Sequence, residues 1–340
     1  MQETLNVLVL MDFSDAIMER LQAVSPRLKF TRKIVKSISE IPPELLASTD
    51  ILYTAGLVPE PDAVPRLRWI QANFAGVDSL LAQPLLAAED IILTTTSGIH
   101  ATTMAEHVFA MMLAFARKIP LLLRYQQKAE WSPDRGSLFL PRELRGATLG
   151  IVGYGSIGRE LARLAKAFGM SVLATKRDVM HPAATNEYIE PGTGDPEGTC
   201  VERLYPPEAT KSMAALCDFL VVLVPLTPDT RAMINQEVFD AMKETAILIN
   251  VARGGVIDEE ALIRALQSGQ IAGAALDVFS QEPLPPSSPL WKLDNVIISP
   301  HIAGNTSRYH ELAATVFIEN LERYLNNKDL LNRVDRKRGY

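Results

Sequence analysis

Short apolar runs alternate with stretches whose apolar residues recur every three or four positions along almost the whole chain. The runs are strand-length and the intervening stretches helical, which predicts an α/β protein with parallel sheets. In the first hundred residues the candidate strands are LNVLVL, LKFTR, DILYTA, LRWIQA and IILTTT, with DAIMERLQAV as a helix among them. These elements suffice for a small flavodoxin-like domain over residues 1–98. Near Gly98 the pattern changes. HATTMAEHVFAMMLAFARK runs without a breaker and stops before Pro120, predicting a long helix that is apolar on almost every side and therefore buried.

Strand candidates ATLGIVG, SVLAT, DFLVVLVP, AILINVA, AGAALDVF and NVIISP follow. With helical crossovers they predict a doubly wound Rossmann sheet over residues 99–305. Its best delimited helix lies between Asp258, an N-cap, and Gly269, just past its end. The last helix, SRYHELAATVFIENLERYLNN, has no strand after it to cover. It is expected to return to the first domain, which would then be built from both chain ends, 1–98 and 306–340. One span fits no periodicity: Asp178 to Lys211 is rich in Pro, Gly, Thr and acid. So long a connection is either functional or disordered.

Composition narrows the function classes. At 340 residues the chain exceeds usual single-domain size, and 47% hydrophobic with 22% charged residues is ordinary for a soluble globular protein. A net charge of −6, with no basic stripe, argues against a nucleic-acid partner. No apolar run approaches the ~20 residues that span a bilayer, so no membrane segment is expected. The N-terminal stretch MQETLNVLVLMDF lacks the positive charge of a signal peptide. Cys200 and Cys217 have no ligand spacing, which suits a reducing cytoplasm, and the histidines form no metal motif.

GIVGYGSIGRELARLAKAFGM carries Gly153, Gly155 and Gly158 between a strand and an amphipathic helix. The first glycine allows the tight turn, the second lets backbone approach a pyrophosphate, and the third lets helix pack on strand. The helix N-terminus adds unpaired N–H groups for the anion. A glycine-rich turn alone means little, but strand, helix and second strand all fall where a dinucleotide site needs them.

Further on, Arg253 in NVARGG, Asp277 in ALDVF, Glu282 in SQEPL and His301 in SPHIAG each follow a predicted strand. The C-terminal strand ends of an open α/β sheet form the ligand crevice, so all four are expected to line it. Each alone has a bland reading: a surface charge, a helix cap, a loop acid, a structural histidine. Gathered beside a dinucleotide, they point to hydride transfer at a carbonyl next to a carboxylate.

From about Asn73 to about Thr306 the sequence resembles the D-isomer-specific 2-hydroxyacid dehydrogenase family. The matching pieces are NFAGVD, MAEHVFAMMLAFAR, GIVGYGSIG, VPLTPDTRAMI, LINVARGGVIDEEAL, ALDVFSQEPL and PHIAG. The spacings of 29 residues from Arg253 to Glu282 and 19 from Glu282 to His301 suit the family too. The resemblance implies that His301 is the acid–base, that Glu282 hydrogen-bonds its imidazole and favours the charged form, and that Arg253 grips the substrate carboxylate in a charge-assisted fork. It implies substrate contacts at Phe74, Ala75 and Gly76, and places Asp277 near the nicotinamide carboxamide. Further cofactor contacts it implies are Thr103, Ser156, Ile157, Val224, Pro225, Thr230, Val251, Ala252, Ala303 and Gly304, beside the three glycines, Arg253 and His301. His100 stands where many members have asparagine.

NAD-using members carry an acid at the end of the second strand; here that position is Lys176, followed by Arg177. Two cations can pair with a 2′-phosphate, so NADP is expected over NAD. The expected reaction is reduction of a small 2-oxo acid, glyoxylate or hydroxypyruvate, by a homodimer. NFAGVD offers no nearby cation for a phosphorylated substrate, and the chain is expected to lack the C-terminal regulatory domain of many phosphoglycerate dehydrogenases. The alternatives are a phosphoglycerate dehydrogenase-like enzyme and a dinucleotide-sensing, corepressor-like binding protein.

Overall fold

The computed structural model describes residues 3–87 and 90–337, and they divide into two compact units. One holds the described residues up to Ile99, Thr185–Tyr188 and those from Thr306 onward; the other holds His100–Ala184 and Ile189–Asn305.

The first unit is built on a five-stranded parallel sheet of β1 (Leu5–Leu10), β2 (Leu28–Arg32), β3 (Ile51–Thr54), β4 (Trp69–Ala72) and β5 (Ile92–Thr94). Their order, β2-β1-β3-β4-β5, is flavodoxin-like. Side chains alternate between faces, so Val7 and Val9 of β1 enter one core while Leu8 and Leu10 enter the other. Helix α1 (Asp15–Ala23) starts where the Ser14 hydroxyl accepts the Ile17 N–H, and buries Ile17, Met18 and Leu21. The C-terminal helix (Tyr309–Leu325) packs in this unit. Its Ala314, Phe317 and Leu321 share a core with Val7, Val9, Tyr53 and Trp69. The Phe317 ring meets Tyr53 edge-on at 4.8 Å and lies 5.4 Å from Trp69.

Thr185–Tyr188 had been expected within the irregular span of the second domain, yet these residues pack in the first unit. Asn332 holds them, its N–H donating to the Asn186 carbonyl at 2.8 Å and its side-chain oxygen accepting the Tyr188 N–H at 3.0 Å. Tyr188 is buried with Ile99, Leu312 and Val316.

The second unit has a seven-stranded parallel sheet: β6 (Thr148–Val152), β7 (Ser171–Thr175), β8 (Arg203–Tyr205), β9 (Phe219–Val222), β10 (Ile247–Asn250), β11 (Gly273–Leu276) and β12 (Val296–Ile298). The order β12-β11-β10-β9-β6-β7-β8 is doubly wound and reverses direction of winding between β6 and β9, directly at the glycine turn. Six strands coincide with the apolar runs. The seventh, β8, lies inside the irregular span and was not expected, because three residues cannot register a period and only Tyr205 among them is buried.

Helix α2 (Ala101–Ala116) buries Ala105, Val108, Phe109 and Met112 in a core shared with Leu161, Ala162 and Ala165 of α4 (Ser156–Ala167). Its own unit therefore covers much of its apolar surface. Lys118 then turns left-handed, with φ 55°, and α3 (Ile119–Gln127) begins with Pro120 in its first turn, where a missing N–H does no harm. Helix α5 (Glu259–Ser268) starts with Asp258 accepting the Ala261 N–H and ends at left-handed Gly269. Among the described residues no helix is long and apolar enough to cross a membrane.

Phe317→Ala removes the ring joining the C-terminal helix to β3 and β4. It is expected to destabilise the first unit by about 3–5 kcal/mol, measured by denaturant unfolding followed through Trp69 fluorescence.

Candidate active site

The glycine turn, Arg253, Asp277, Glu282 and His301 all stand beyond the C-terminal ends of the second unit's parallel strands. After β6 the chain turns through Gly153, with φ 108°, and enters α4 at Ser156. A Cβ on Gly158 would lie 2.6 Å from the Gly153 carbonyl oxygen, so the third glycine is what lets helix meet strand. A Cβ on Gly155 would meet nothing within 4 Å, and Gly155 is exposed: this is the side left for a ligand. The turn thus fits a dinucleotide pyrophosphate, with Ser156 and Ile157 in the first turn of α4. The end of β7 is tied to it, Gly153 N–H donating to the Thr175 hydroxyl at 3.1 Å and Tyr154 N–H to the Thr175 carbonyl at 2.9 Å. Lys176 and Arg177 come next. The Lys176 ammonium donates to the carbonyls of His181 and Ala183, so it also braces its own segment.

Val224 and Pro225 follow β9, and Val224 meets the glycine turn: a Cβ on Gly153 would lie 3.0 Å from its Cγ1. Thr230 closes that loop, its hydroxyl donating to the Pro225 carbonyl at 2.6 Å. Thr103 lies in the first turn of α2, and its hydroxyl reaches the His100 carbonyl at 3.3 Å.

Strands β10, β11 and β12 are neighbours, with Asn250 in register with Leu276 and Leu276 with Ile298. Arg253 therefore stands three residues beyond the first, Asp277 one beyond the second and His301 three beyond the third. Adjacent strands are ~4.8 Å apart, so these three lie along one short edge. Val251 and Ala252 are buried, and the Asn250 side chain braces the loop, accepting the Ala252 N–H and donating to the Arg253 carbonyl, both at 3.1 Å. A Cβ on Gly254 would lie 1.9 Å from the Phe279 carbonyl carbon. Only glycine allows this approach, which packs the Arg253 loop against the Phe279–Glu282 loop.

His301 sits in the left-handed region, φ 55°, with its N–H donating to the Asp277 carbonyl at 2.8 Å. Its Nδ1 is 2.7 Å from Glu282 Oε2, while Glu282 Oε1 accepts the Phe279 N–H at 3.0 Å. Both carboxylate oxygens are thus engaged, the imidazole is oriented, and Nε2 is the nitrogen left to exchange a proton. The pair is partly open, with side-chain exposures of 50% for His301 and 36% for Glu282.

Asp277 is buried, and its carboxylate is fully employed inside the protein. Oδ1 accepts the Ser299 hydroxyl at 2.5 Å and the Ile302 N–H at 2.9 Å; Oδ2 accepts the Ala303 N–H at 2.8 Å. Its visible work is to hold the loop carrying His301. Ser299, which sequence reasoning did not single out, joins this network and lies 3.3 Å from His107 Nε2 on α2. His100 holds the far end of the same loop, its Nδ1 3.0 Å from the Gly304 carbonyl. Burial lowers the proton affinity of His100, although the carbonyl opposes that, so the neutral ring donates there.

In the first unit, Phe74, Ala75 and Gly76 follow the C-terminal end of β4; Ala75 and Gly76 are exposed. The preceding Asn73 is fixed by Tyr53, whose hydroxyl donates to its side chain at 2.6 Å, and by the Tyr309 hydroxyl on its carbonyl. Among the described residues no group of three or more His, Cys, Asp or Glu side chains could hold a metal ion.

A glycine-turn Rossmann sheet carrying an oriented Glu–His pair and an arginine on neighbouring strand ends defines a dinucleotide-dependent oxidoreductase. The D-isomer specific 2-hydroxyacid dehydrogenase NAD-binding domain model matches residues 109–303. A glyoxylate reductase of Korarchaeum cryptofilum is 36% identical over 264 residues, 76% of this chain and 74% of its own. A D-isomer specific 2-hydroxyacid dehydrogenase of Xanthobacter autotrophicus Py2, solved with NADPH and MES, matches with a TM-score of 0.79 at 32% identity over 100% of both chains. An NADPH-dependent glyoxylate/hydroxypyruvate reductase of Sinorhizobium meliloti, solved with NADP and sulfate, matches with a TM-score of 0.75 at 27% identity over 99% of this chain and 100% of its own. The chain belongs to the D-isomer-specific 2-hydroxyacid dehydrogenases, and is an NAD(P)-dependent oxidoreductase acting on the CH–OH group of a 2-hydroxy acid.

Asp277→Asn places an N–H₂ against groups that are themselves donors. It is expected to cost about 1–3 kcal/mol of stability and to lower kcat, measured by thermal unfolding and steady-state kinetics.

Proposed function

We propose that this protein reduces glyoxylate or hydroxypyruvate with NADPH as the favoured reductant, through His301, Glu282 and Arg253. The observation that carries the chemistry is the His301–Glu282 contact, which leaves Nε2 as the proton-exchanging atom. When bound, the reduced nicotinamide supplies a hydride to the substrate carbonyl carbon. His301 gives an Nε2 proton to the carbonyl oxygen, and Glu282 fixes the ring through Nδ1. Arg253 binds the carboxylate through a planar fork that lysine could not reproduce. In the reverse direction the neutral ring takes the hydroxyl proton. On the first unit, the Phe74–Gly76 loop is assigned to the substrate because it ends a parallel strand.

Gly153, Gly155 and Gly158, with Ser156 and Ile157, would hold the pyrophosphate, and Thr103, Val224, Pro225, Thr230, Val251, Ala252, Asp277, Ala303 and Gly304 would surround the remainder of the cofactor. Lys176 and Arg177 favour NADPH, since no carboxylate stands at either position to repel a 2′-phosphate. The names of the relatives support the substrate class, and the absence of a cation in NFAGVD disfavours a phosphoglycerate-like substrate. The oriented acid–base pair favours working chemistry over a corepressor-like sensor. The exposed Ile119, Leu122, Leu123, Trp131 and Leu140 support a homodimer through the α3 region, and free Cys200 and Cys217 support a cytoplasmic setting.

Purified protein is expected to oxidise NADPH with either 2-oxo acid, followed at 340 nm, with kcat/KM for NADPH at least about tenfold above that for NADH. Higher kcat/KM with NADH overturns the cofactor assignment, and no turnover on any small 2-oxo acid overturns the substrate class. His301→Ala is expected to lower kcat by about 10²–10⁴-fold while cofactor still binds; retained turnover removes the proposed acid.

A further inference from the structure

The span from Asp178 to Glu202 has almost no regular structure, yet it is bolted to the dinucleotide turn by a buried cation. Arg159, on the first turns of α4, is only 1% exposed and ranks among the largest fully buried side chains described. Its guanidinium donates to the Asp195 carbonyl and to the Pro182 carbonyl, each at 2.7 Å, and lies 4.8 Å from the centre of the Tyr154 ring. Tyr154, the residue between Gly153 and Gly155, donates its hydroxyl to the Asp195 carboxylate. That carboxylate also accepts the N–H groups of Thr199 at 2.9 Å and Cys200 at 2.8 Å. The next residue on the helix, buried Glu160, accepts the Gly194 N–H at 2.6 Å. The segment is knitted to itself as well, with Ala184 N–H donating to the Pro196 carbonyl at 2.8 Å.

An arginine withdrawn from water needs oriented acceptors, and the two carbonyls that accept from this one both come from the same segment. That segment begins at the two cations beyond β7. The Lys176 ammonium grips the carbonyls of His181 and Ala183, the residues on either side of Pro182, which Arg159 holds. The backbone that sets the geometry of Lys176 and Arg177 is therefore fixed from inside the helix that receives the pyrophosphate.

We propose that Arg159 is a positioning residue for cofactor selection: with Tyr154 and Asp195 it clamps Pro182–Ala184 and Ile189–Cys200 to the dinucleotide helix, and so holds Lys176 and Arg177 where a ribose 2′-phosphate is read. This rests on the NADPH reading above. Arg159 is buried and acts through the segment. Loosening the clamp frees the cations to be solvated, so the phosphate loses its partner while the pyrophosphate turn keeps its own.

Two variants test this. Arg159→Met keeps the buried stem and removes the guanidinium. Gly198→Ala loosens the segment from its outer side, because Gly198 has φ 73° and a Cβ there would lie 2.7 Å from Pro182 Cβ. Dissociation constants for NADPH and NADH come from fluorescence titration, and amide hydrogen exchange at Ala184 and Gly194 is followed in protein without cofactor. Both variants are expected to exchange faster at those amides and to bind NADPH about tenfold more weakly, the loss of one close charge pair after solvation, while NADH affinity changes less than about threefold. If the segment loosens but the ratio of the two constants stays at its wild-type value, the clamp has no part in selection. The proposal equally fails if both cofactors weaken alike, as a general loss of fold would require. A wild-type preference for NADH would overturn the NADPH reading itself, a failure distinguishable from that of the clamp because it shows before any substitution.

Discussion

A carboxylate taken out of water must find donors, and Asp277 finds them in the loop that follows β12. The Ser299 hydroxyl and the N–H groups of Ile302 and Ala303 converge on its two oxygens. Left-handed backbone at His301 is costly for a residue with a Cβ and persists only where neighbours over-determine it. Asp277 supplies that constraint from both sides, through its side chain and through its carbonyl on the His301 N–H. The imidazole then meets Glu282, whose other oxygen is fixed by Phe279 N–H. The direction of the imidazole Nε2 thus follows from a buried carboxylate that holds its loop.

The same edge is tightened by what is missing from Gly254. With backbone of the Arg253 loop this close to backbone at Phe279, any side chain would push β10's loop away from the loop bearing Glu282. Arginine, glutamate and histidine come from sequence positions far apart, and they share an edge because three parallel strands end in register and two of their loops touch. Rigid strands thus supply an accuracy that the side chains could not supply for themselves.

A different strategy holds the far edge of the sheet. Between β7 and β8 no helix makes the crossover. Irregular chain takes its place, and irregular chain carries carbonyls without internal partners. Arg159 and Lys176 use those carbonyls, and Asp195 and Glu160 use its N–H groups. Polar groups that would be a liability in a loop become the means of fixing it. The segment also lends Thr185–Tyr188 to the core of the first unit, where Tyr188 is buried.

Much of this was legible in the chain itself. Period-two and continuous apolar runs marked eleven of the strands, because burial of a strand imposes its pattern on consecutive residues. The glycine spacing marked the turn, since each glycine answers a local steric demand, and Arg253, Glu282 and His301 stood out as polar residues directly after apolar strands. Other features had no local signature. β8 is too short to show a period. Arg159 reads as an ordinary solvated charge on an amphipathic helix, and its acceptors lie 23 and 36 residues away. Asp277 announces a polar residue at a strand end but not which way its oxygens face. Pattern and steric demand are properties of neighbours along the chain, so sequence alone determined them; the partners of a buried charge are properties of neighbours in space, and only the tertiary structure could choose them.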